Sequence, residues 1–413
     1  MTAPDASVGP FLASLTLARD DGWALSPDGL WLATFASGLP TRVHVLEVSS
    51  GREVLSIPGS PVAGLHWASP EVLWVLRQQP PNDLRVVAHA VPDGGVLETL
   101  GLSNARAHRC RVTSSADGAL ALVAPVQWPS EHRGARLRLG ALLRGPVPEL
   151  VRPLDPHELR GVPASPVRRA VVASLGPDGQ KVAWVYGSTR ERSDVPPTAR
   201  SDGALVFYDW RRDKVTVTTV RPLGEPSGLL WCSAGEVAWL AHTPDASPRL
   251  LVAEEDRVWD LSGGLRDAVA LDGGDALQLH PDRETLLVGA TETLDGRVRR
   301  GFVVALRSVG GVPGVREGVF WPTGARPAFG AVCAAADGAL WSVDARRPKT
   351  LCVRRQEGEA WVLVRELDLP SASPRRGGLR VLPGGRRALL WWETPGPARE
   401  APGTVLAIVD LRG

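Results

Sequence analysis

The stretch "LSPDGLWLATFASGLPTRVHVLEVSSGREVLSI" (residues 25–57) decides the fold. It contains a Ser-Pro-Asp-Gly turn followed by the apolar runs "LWLATF", "RVHVLEV" and "EVLSI", with further turn residues between them. Short runs rich in aliphatic, β-branched and aromatic residues are typical of strands rather than helices. The stretch therefore predicts a small antiparallel meander, and repetition of this unit would establish the architecture.

Turns of the same kind, each between two apolar runs, recur along the whole chain with an average period of about 51 residues. They are "SPDG" (26–29), "SPEV" (69–72), "SADG" (115–118), "GPDG" (176–179), "SAGE" (233–236), "HPDR" (280–283), "AADG" (335–338) and "PGGR" (383–386). Most copies continue with a third strand and many with a fourth. We therefore predict four-stranded antiparallel blades that begin near residues 23, 62, 110, 169, 228, 275, 327 and 378.

A single meander is too small to bury both of its faces, so neighbouring copies must stack, and a closed ring also removes exposed sheet edges. We predict an all-β fold in which residues 1–413 form a single β-propeller domain. Counting favours eight blades, with seven as the alternative. The last copy stops after its third strand at "TVLAIVD" (404–410), while "FLASLTLA" (11–18) near the beginning has no partner. Residues 11–18 are therefore predicted to supply the missing strand and close the ring.

Composition indicates a globular protein, with 44% hydrophobic and 22% charged residues. We find no signal-peptide pattern and no run near the roughly 18 apolar residues of a membrane helix, so we expect a cytoplasmic protein with no membrane partner. The excess of Arg over Lys suggests a GC-rich, bacterial coding bias. The four cysteines are scattered without a CxxC pair, which predicts neither a zinc site nor disulfides.

The repeats resemble those of a known family. "SPDGLWLATF" (26–35) followed by "RVHVLEVSSGREVLSI" (42–57) resembles a WD-repeat blade, and "RVWDLSGG" (257–264) keeps the Trp-Asp pair of that family. The "SPDG" and "GPDG" turns are also similar to blades of the propeller in the periplasmic Tol-Pal system. The Gly-His pair and the repeated His, Ser/Thr, Trp and Asp network of WD repeats are absent. The resemblance implies a degenerate WD-like propeller, for which seven blades is the more familiar number.

Tryptophans recur on the predicted second strands, which favours packing between blades over an aromatic binding site. They are Trp31, Trp74, Trp184, Trp239 and Trp341.

Long insertions are predicted between second and third strands, all on one face of the ring. They include residues 77–83, 125–134, 187–203, 290–301 and 392–404. Loops on a rigid scaffold tend to carry function, although such insertions can also be merely tolerated. Trp and Arg are common energetic anchors of interfaces. The candidate binding residues are Trp128, His132, Arg133, Arg190, Arg192, Arg299 and Arg300.

Charge is unevenly distributed although the net formal charge is only +2. Residues 245–295 hold 12 acidic residues and 4 arginines, whereas residues 345–390 hold 11 basic and 4 acidic residues. The two sectors could orient a partner, or neighbouring blades could simply compensate each other. The interleaving of basic and aromatic residues that a nucleic-acid groove needs is weak, so nucleic acid is an unlikely partner.

Motifs of common catalytic and phosphate-binding sites are absent from the sequence. His66 and His280 end predicted first strands near the ring axis, but structural roles are favoured for both. We therefore predict no catalytic residue, no metal and no cofactor. The favoured function is a non-catalytic protein-interaction scaffold that binds another protein through the long-loop face. The alternative is a propeller enzyme, a hydrolase or lyase, with its site in the central channel.

Overall fold

The structure is a computed structural model of the chain. It describes residues 11–17, 22–35, 41–59, 61–79, 83–102, 110–125, 140–154, 168–188, 203–220, 225–242, 248–254, 257–261, 269–271, 277–282, 284–294, 297–306, 314–315, 319–322, 330–347, 350–358, 360–368, 377–383, 385–394 and 403–411. Strands and turns make up these ranges, which contain no helix long and apolar enough to cross a membrane.

The first four antiparallel sheets, which we call blades 1 to 4, follow one another along the chain. Blade 1 contains β2 (Gly22–Leu25), β3 (Trp31–Phe35), β4 (Thr41–Glu47) and β5 (Glu53–Gly59). Blade 2 contains β6 (Val62–Ser69), β7 (Val72–Gln79), β8 (Asp83–Ala90) and β9 (Val96–Leu102). Blade 3 contains β10 (Cys110–Ser114), β11 (Leu120–Pro125), β12 (Gly140–Arg144) and β13 (Glu149–Leu154). Blade 4 contains β14 (Arg168–Leu175), β15 (Lys181–Ser188), β16 (Gly203–Asp209) and β17 (Lys214–Val220).

Blades 5 to 8 complete the set. Blade 5 contains β18 (Glu225–Trp231), β19 (Val237–His242), β20 (Pro248–Ala253) and β21 (Val258–Asp260). Blade 6 contains β22 (Val269–Leu271), β23 (Leu277–Leu279), β24 (Thr285–Leu294), β25 (Arg297–Leu306), β26 (Gly314–Val315) and β27 (Val319–Pro322). Blade 7 contains β28 (Gly330–Ala334), β29 (Leu340–Arg347), β30 (Thr350–Glu357) and β31 (Ala360–Asp368). Blade 8 contains β32 (Gly377–Val381), β33 (Arg387–Thr394), β34 (Gly403–Asp410) and β1 (Phe11–Leu17).

The predicted closure of the ring by the N-terminal strand is confirmed. β1 pairs antiparallel with β34, with Thr16 opposite Val405 and Ser14 opposite Ala407. The sheet order is β1-β34-β33-β32, so β1 takes the place of a fourth strand in blade 8. With this strand, the predicted all-β propeller of eight blades is confirmed.

Apolar clusters fill the spaces between neighbouring blades, because both faces of each sheet are buried. In β15, Val182 and Trp184 pack toward blade 3, whereas Ala183 and Val185 pack toward blade 5. This alternation is the ordinary two-residue period of a strand. The eight clusters correspond to the eight interfaces, including the one between blades 8 and 1, so the ring is continuous.

The second-strand tryptophans pack between blades, as predicted. Trp74, Trp184 and Trp239 are among the largest fully buried side chains, Trp341 is also buried, and Trp31 is half-buried. Large aromatic side chains at these positions therefore contribute to the apolar contacts between neighbouring sheets.

The first-to-second turns of blades 1 and 3 share one geometry. In blade 1 the Ser26 hydroxyl donates to the Asp28 carboxylate at 2.6 Å, and the same carboxylate accepts from the amide of Leu30 at 3.1 Å. Gly29 has φ +73°, a left-handed conformation that glycine adopts without strain. Ser115 and Asp117 repeat the hydroxyl-to-carboxylate bond in blade 3 at 2.6 Å. These polar residues therefore define tight turns.

Blade 6 departs from the simple four-strand pattern. Its first strand is divided into β22 and β23, which both pair with β24, and β26 and β27 both pair with β25. β24 and β25 pair continuously from Thr285 opposite Leu306 to Leu294 opposite Arg297. The prediction that residues 290–301 form a long loop is therefore wrong, since most of them extend a hairpin.

Candidate interaction surfaces

The antiparallel order of the strands divides the connections between two faces of the ring. First-to-second and third-to-fourth connections lie on one face, the turn face. Second-to-third connections and those between blades lie on the other, the loop face. The structure describes the turn face well, whereas the second-to-third connection of every blade lies wholly or partly outside the described residues.

Most of the candidate binding residues predicted on the loop face lie outside the described residues. They are Trp128, His132, Arg133, Arg190 and Arg192. The remaining two, Arg299 and Arg300, lie on β25, near the end of the hairpin on the loop face. In the register of β24 and β25, Arg299 lies opposite Glu292 and Arg300 opposite Thr291. Their role in binding stays a prediction.

His66 lies between blades 2 and 3. Its Nε2 atom is 3.0 Å from the hydroxyl of Ser114, and its ring meets Trp74 edge-on at a centroid distance of 5.3 Å. Burial lowers the pKa of His66 to about 4, so the ring is neutral at pH 7. These contacts give His66 a structural role at a blade interface.

His280 links blades 6 and 7. Its Nε2 atom donates to the carbonyl of Gly338 at 2.9 Å, and its Nδ1 atom accepts from the amide of Asp282 at 3.3 Å. Both ring nitrogens are thus used in turns. Over the described part of the chain, no group of three or more His, Cys, Asp or Glu side chains is placed to hold a metal ion.

A groove opens on the turn face where the ring closes, and we call it the closing groove. It has a volume of about 260 Å³ and lies between the first turns of blades 1 and 8. Its lining residues are Asp28, Gly29, Leu30, Val48, Leu382, Pro383, Arg386 and Arg387. Val48 and Leu382 form a buried apolar floor, while Leu30 is 55% exposed and Arg386 is exposed at the rim.

No local pattern in the sequence marks the closing groove. Arg386 and Arg387 contribute to the basic excess of residues 345–390, but the pairing of this segment with Leu30 depends on which blades become neighbours. The predicted closure by residues 11–18 was the one available signal, because it makes blade 1 follow blade 8 in the ring.

No family model matches the chain, and no curated protein matches it in sequence. Solved structures match in fold. The C-terminal WD40 domain of Sif2 has a TM-score of 0.53 and 11% identity, over 97% of this chain and 99% of that chain. A crystal structure of the eukaryotic initiation factor has a TM-score of 0.53 and 10% identity, over 95% of this chain and 85% of that one.

One further match is to a prolyl endopeptidase, with a TM-score of 0.50 and 10% identity. It covers 90% of this chain but 54% of that chain, so this chain spans about half the length of the endopeptidase. At such identities the likeness concerns the fold alone. The chain therefore shares a WD40-like β-propeller architecture with proteins of different functions.

Proposed function

We propose that the chain is a non-catalytic protein-interaction module whose loop face binds another protein. The observation that carries this proposal is the unequal length of connections on the two faces. In blades 3 and 4 the second and third strands are joined by residues 126–139 and 189–202, whereas residues 115–119 and 176–180 join the first and second strands. Longer connections between strands on one face of a rigid scaffold are typical of a recognition surface.

The scaffold itself supports recognition. The apolar clusters at the blade interfaces hold the strands on which the connections begin and end, so binding requires little ordering of the ring. Trp128, His132 and Arg133 belong to the blade 3 connection, and Arg190 and Arg192 to that of blade 4. As part of the proposal, the protein acts in the cytoplasm and needs no cofactor.

The test is quantitative affinity purification from the native lysate. Two variants replace residues 126–139 or 189–202 by a short Gly-Ser linker, and a matched control replaces the third-to-fourth turn at residues 145–148 on the turn face. A stoichiometric partner that is lost with either loop variant and kept with the control would support the proposal. A partner kept by both loop variants would contradict it.

Single substitutions within the two loops then identify the residues that contact the partner. Trp128→Ala and Arg192→Ala are each expected to weaken partner binding about tenfold or more if they are anchors. The same purified protein provides the test of the alternative function, an enzyme with a site in the channel. Near-stoichiometric metal in elemental analysis, together with no partner in the affinity purification, would contradict the proposed scaffold function and favour the enzyme alternative.

A further inference from the structure

The closing groove combines an apolar floor with an exposed apolar rim. Val48 comes from blade 1 and Leu382 from blade 8, and both are buried below Leu30. The residues that correspond to Leu30 in the turns of blades 3 and 7 are Ala119 and Ala339. A large aliphatic side chain that is 55% exposed at this position therefore distinguishes blade 1 from these other blades.

Two arginines stand beside this apolar surface. Arg386 is exposed and Arg387 is half-buried, and within the described residues neither guanidinium has a carboxylate at ion-pair distance. The one acidic residue of the groove is already engaged, since the Asp28 carboxylate accepts from the Ser26 hydroxyl and the Leu30 amide. Among the described residues the cationic rim therefore has no ion-pair partner, so it can accept an anionic group from outside.

Glu47, a neighbouring acid, is hydrogen-bonded within the turn of its own blade and forms no ion pair with the rim arginines among the described residues. Its carboxylate accepts from the Ser50 hydroxyl at 2.5 Å. This bond, a second hydrogen bond from Ser49 and the positive charges of Arg52 and Arg387 lower the pKa of Glu47. The carboxylate is therefore held by the turn of its own blade.

The volume of the closing groove limits the size of the ligand that it can bind. A volume of about 260 Å³ is below the roughly 300–1,000 Å³ of sites that enclose a small-molecule ligand. It suits a single aliphatic or aromatic side chain. Guanidinium groups form strong, directional bonds with carboxylates. The groove is therefore complementary to an apolar side chain that has a carboxylate beside it.

We propose that the closing groove binds an acidic peptide segment of a partner protein, in which an aliphatic or aromatic residue neighbours Asp or Glu. The apolar side chain occupies the space above Val48 and Leu382, and the carboxylate bonds to Arg386 and Arg387. This second docking surface lies on the turn face, opposite the loop face, so it does not depend on the function proposed above.

The test uses the full-length protein and a peptide array. Each peptide carries a Leu or Phe next to Asp or Glu in varied flanks, and is matched by one copy with Asn or Gln for the acid and another with Ser for the apolar residue. The best peptide is then measured by fluorescence polarisation. We expect each matched copy to bind about tenfold more weakly, as the loss of a charged hydrogen bond or of a buried side chain predicts.

Variants of the protein locate the site. Arg386→Gln combined with Arg387→Gln, and separately Leu30→Ser, should each weaken binding of the best peptide about tenfold. The matched control combines Arg211→Gln with Arg212→Gln, an exposed pair in the third-to-fourth turn of blade 4 on the same face. This control removes the same charge and should change binding less than twofold. Thermal melts confirm that all variants fold, which their exposed or half-buried positions favour.

Three results would overturn the proposal. The first is an array in which no peptide binds better than its amide-matched copy. The second is equal loss of binding in the blade 4 control, which would indicate general electrostatic attraction. The third is displacement of the peptide by a short oligonucleotide that binds with equal affinity, since a phosphate backbone would satisfy the arginines without the apolar floor.

Discussion

The interface between blades 3 and 4 and the closing interface between blades 8 and 1 join similar sheets in different ways. Blades 3 and 4 are connected by directional bonds, because the Ala116 amide donates to the Pro177 carbonyl at 2.8 Å and the Leu175 amide to the Thr113 hydroxyl at 3.0 Å. Arg152 of blade 3 also donates to the Trp210 carbonyl at 3.0 Å and pairs with Asp213 at 2.8 Å, both in blade 4.

The closing interface is built from apolar contacts. Leu32 and Leu46 of blade 1 pack with Leu389 and Leu406 of blade 8, and Trp23 lies 5.4 Å from Trp391 between ring centroids. Apolar contacts are non-directional. Blades 3 and 4 are thus aligned by specific bonds, whereas blades 8 and 1 meet through apolar contacts that tolerate small displacements.

The largest expected effect comes from removing the strand that completes blade 8. Deleting residues 1–17 leaves the edge of β34 without its partner β1 and should cost about 4 kcal/mol or more, or prevent folding into a monomer. Urea unfolding measures the loss of stability, and size-exclusion chromatography measures the fraction of monomer. The control is deletion of residues 1–9, which keeps β1. Equal unfolding midpoints for the two deletions would show that closure does not require β1.

Matched cavities test whether the two interfaces differ in rigidity. Leu142 at the blade 3–4 interface and Leu406 at the closing interface are both buried. Truncation costs more where the surroundings cannot collapse into the cavity. We therefore expect Leu142→Ala to cost about 4 kcal/mol and Leu406→Ala about 2.5 kcal/mol in urea unfolding. The reverse order would mean that the hydrogen bonds do not make blades 3 and 4 the stiffer pair.

Acid should loosen a third interface, between blades 2 and 3, through His66. The pKa of His66 is about 4 in the folded protein, below the ordinary 6.5. Well above pH 6.5 the ring is neutral in both states. As the pH falls from 6.5 to 4, the unfolded chain binds the proton first, so the free energy of unfolding decreases by about 2.5 kcal/mol.

His66→Gln is the variant that checks this effect, because glutamine keeps a polar group near Ser114 without titrating in this range. Urea unfolding at pH 7.5 and 4.5 should show a smaller pH dependence for the variant than for the wild type. The same pH dependence in both proteins would assign the acid sensitivity to other groups.

The smallest predicted changes in the free energy of unfolding have opposite signs at the blade 3–4 interface and at the closing interface. Thr113→Val removes the acceptor of the Leu175 amide between blades 3 and 4 and should destabilise by about 1–2 kcal/mol. Thr34 has the same strand face as Leu32, toward blade 8, and its buried hydroxyl has no hydrogen-bond partner among the described residues. Thr34→Val should therefore stabilise the protein by up to about 1 kcal/mol.

Chemical denaturation of the two threonine variants at one pH measures both changes. Destabilisation by Thr34→Val would mean that its hydroxyl is satisfied in solution, and would remove this contrast between the interfaces.

Much of the fold could be predicted because its determinants are local. The Ser26–Asp28 and Ser115–Asp117 turns, the buried Trp184 and the short apolar runs each leave a mark within a few residues of sequence. The closing strand was also predictable, because a blade with three strands and a strand without a blade complement each other.

The rest depends on contacts that local patterns do not contain. Residues 290–301 contain Gly296 and several polar residues, which favoured a loop, but pairing of β24 with β25 overrides that preference. The closing groove joins Leu30 with Arg386, which lie far apart in the chain and meet only because the ring closes. A single sequence shows which residues the chain contains but not which of them lie close together in the folded ring.

Pairing of β1 with β34 also has a consequence for the order of events during synthesis. The ribosome makes β1 before the other strands of the ring and β34 after them, so roughly 20 to 80 s pass between the two at about 5–20 residues per second. Seven blades can stack during that time while β1 has no strand to pair with. During synthesis we therefore expect an open arc of blades in which β1 lacks its partner, and the ring can close only after β34 has been made.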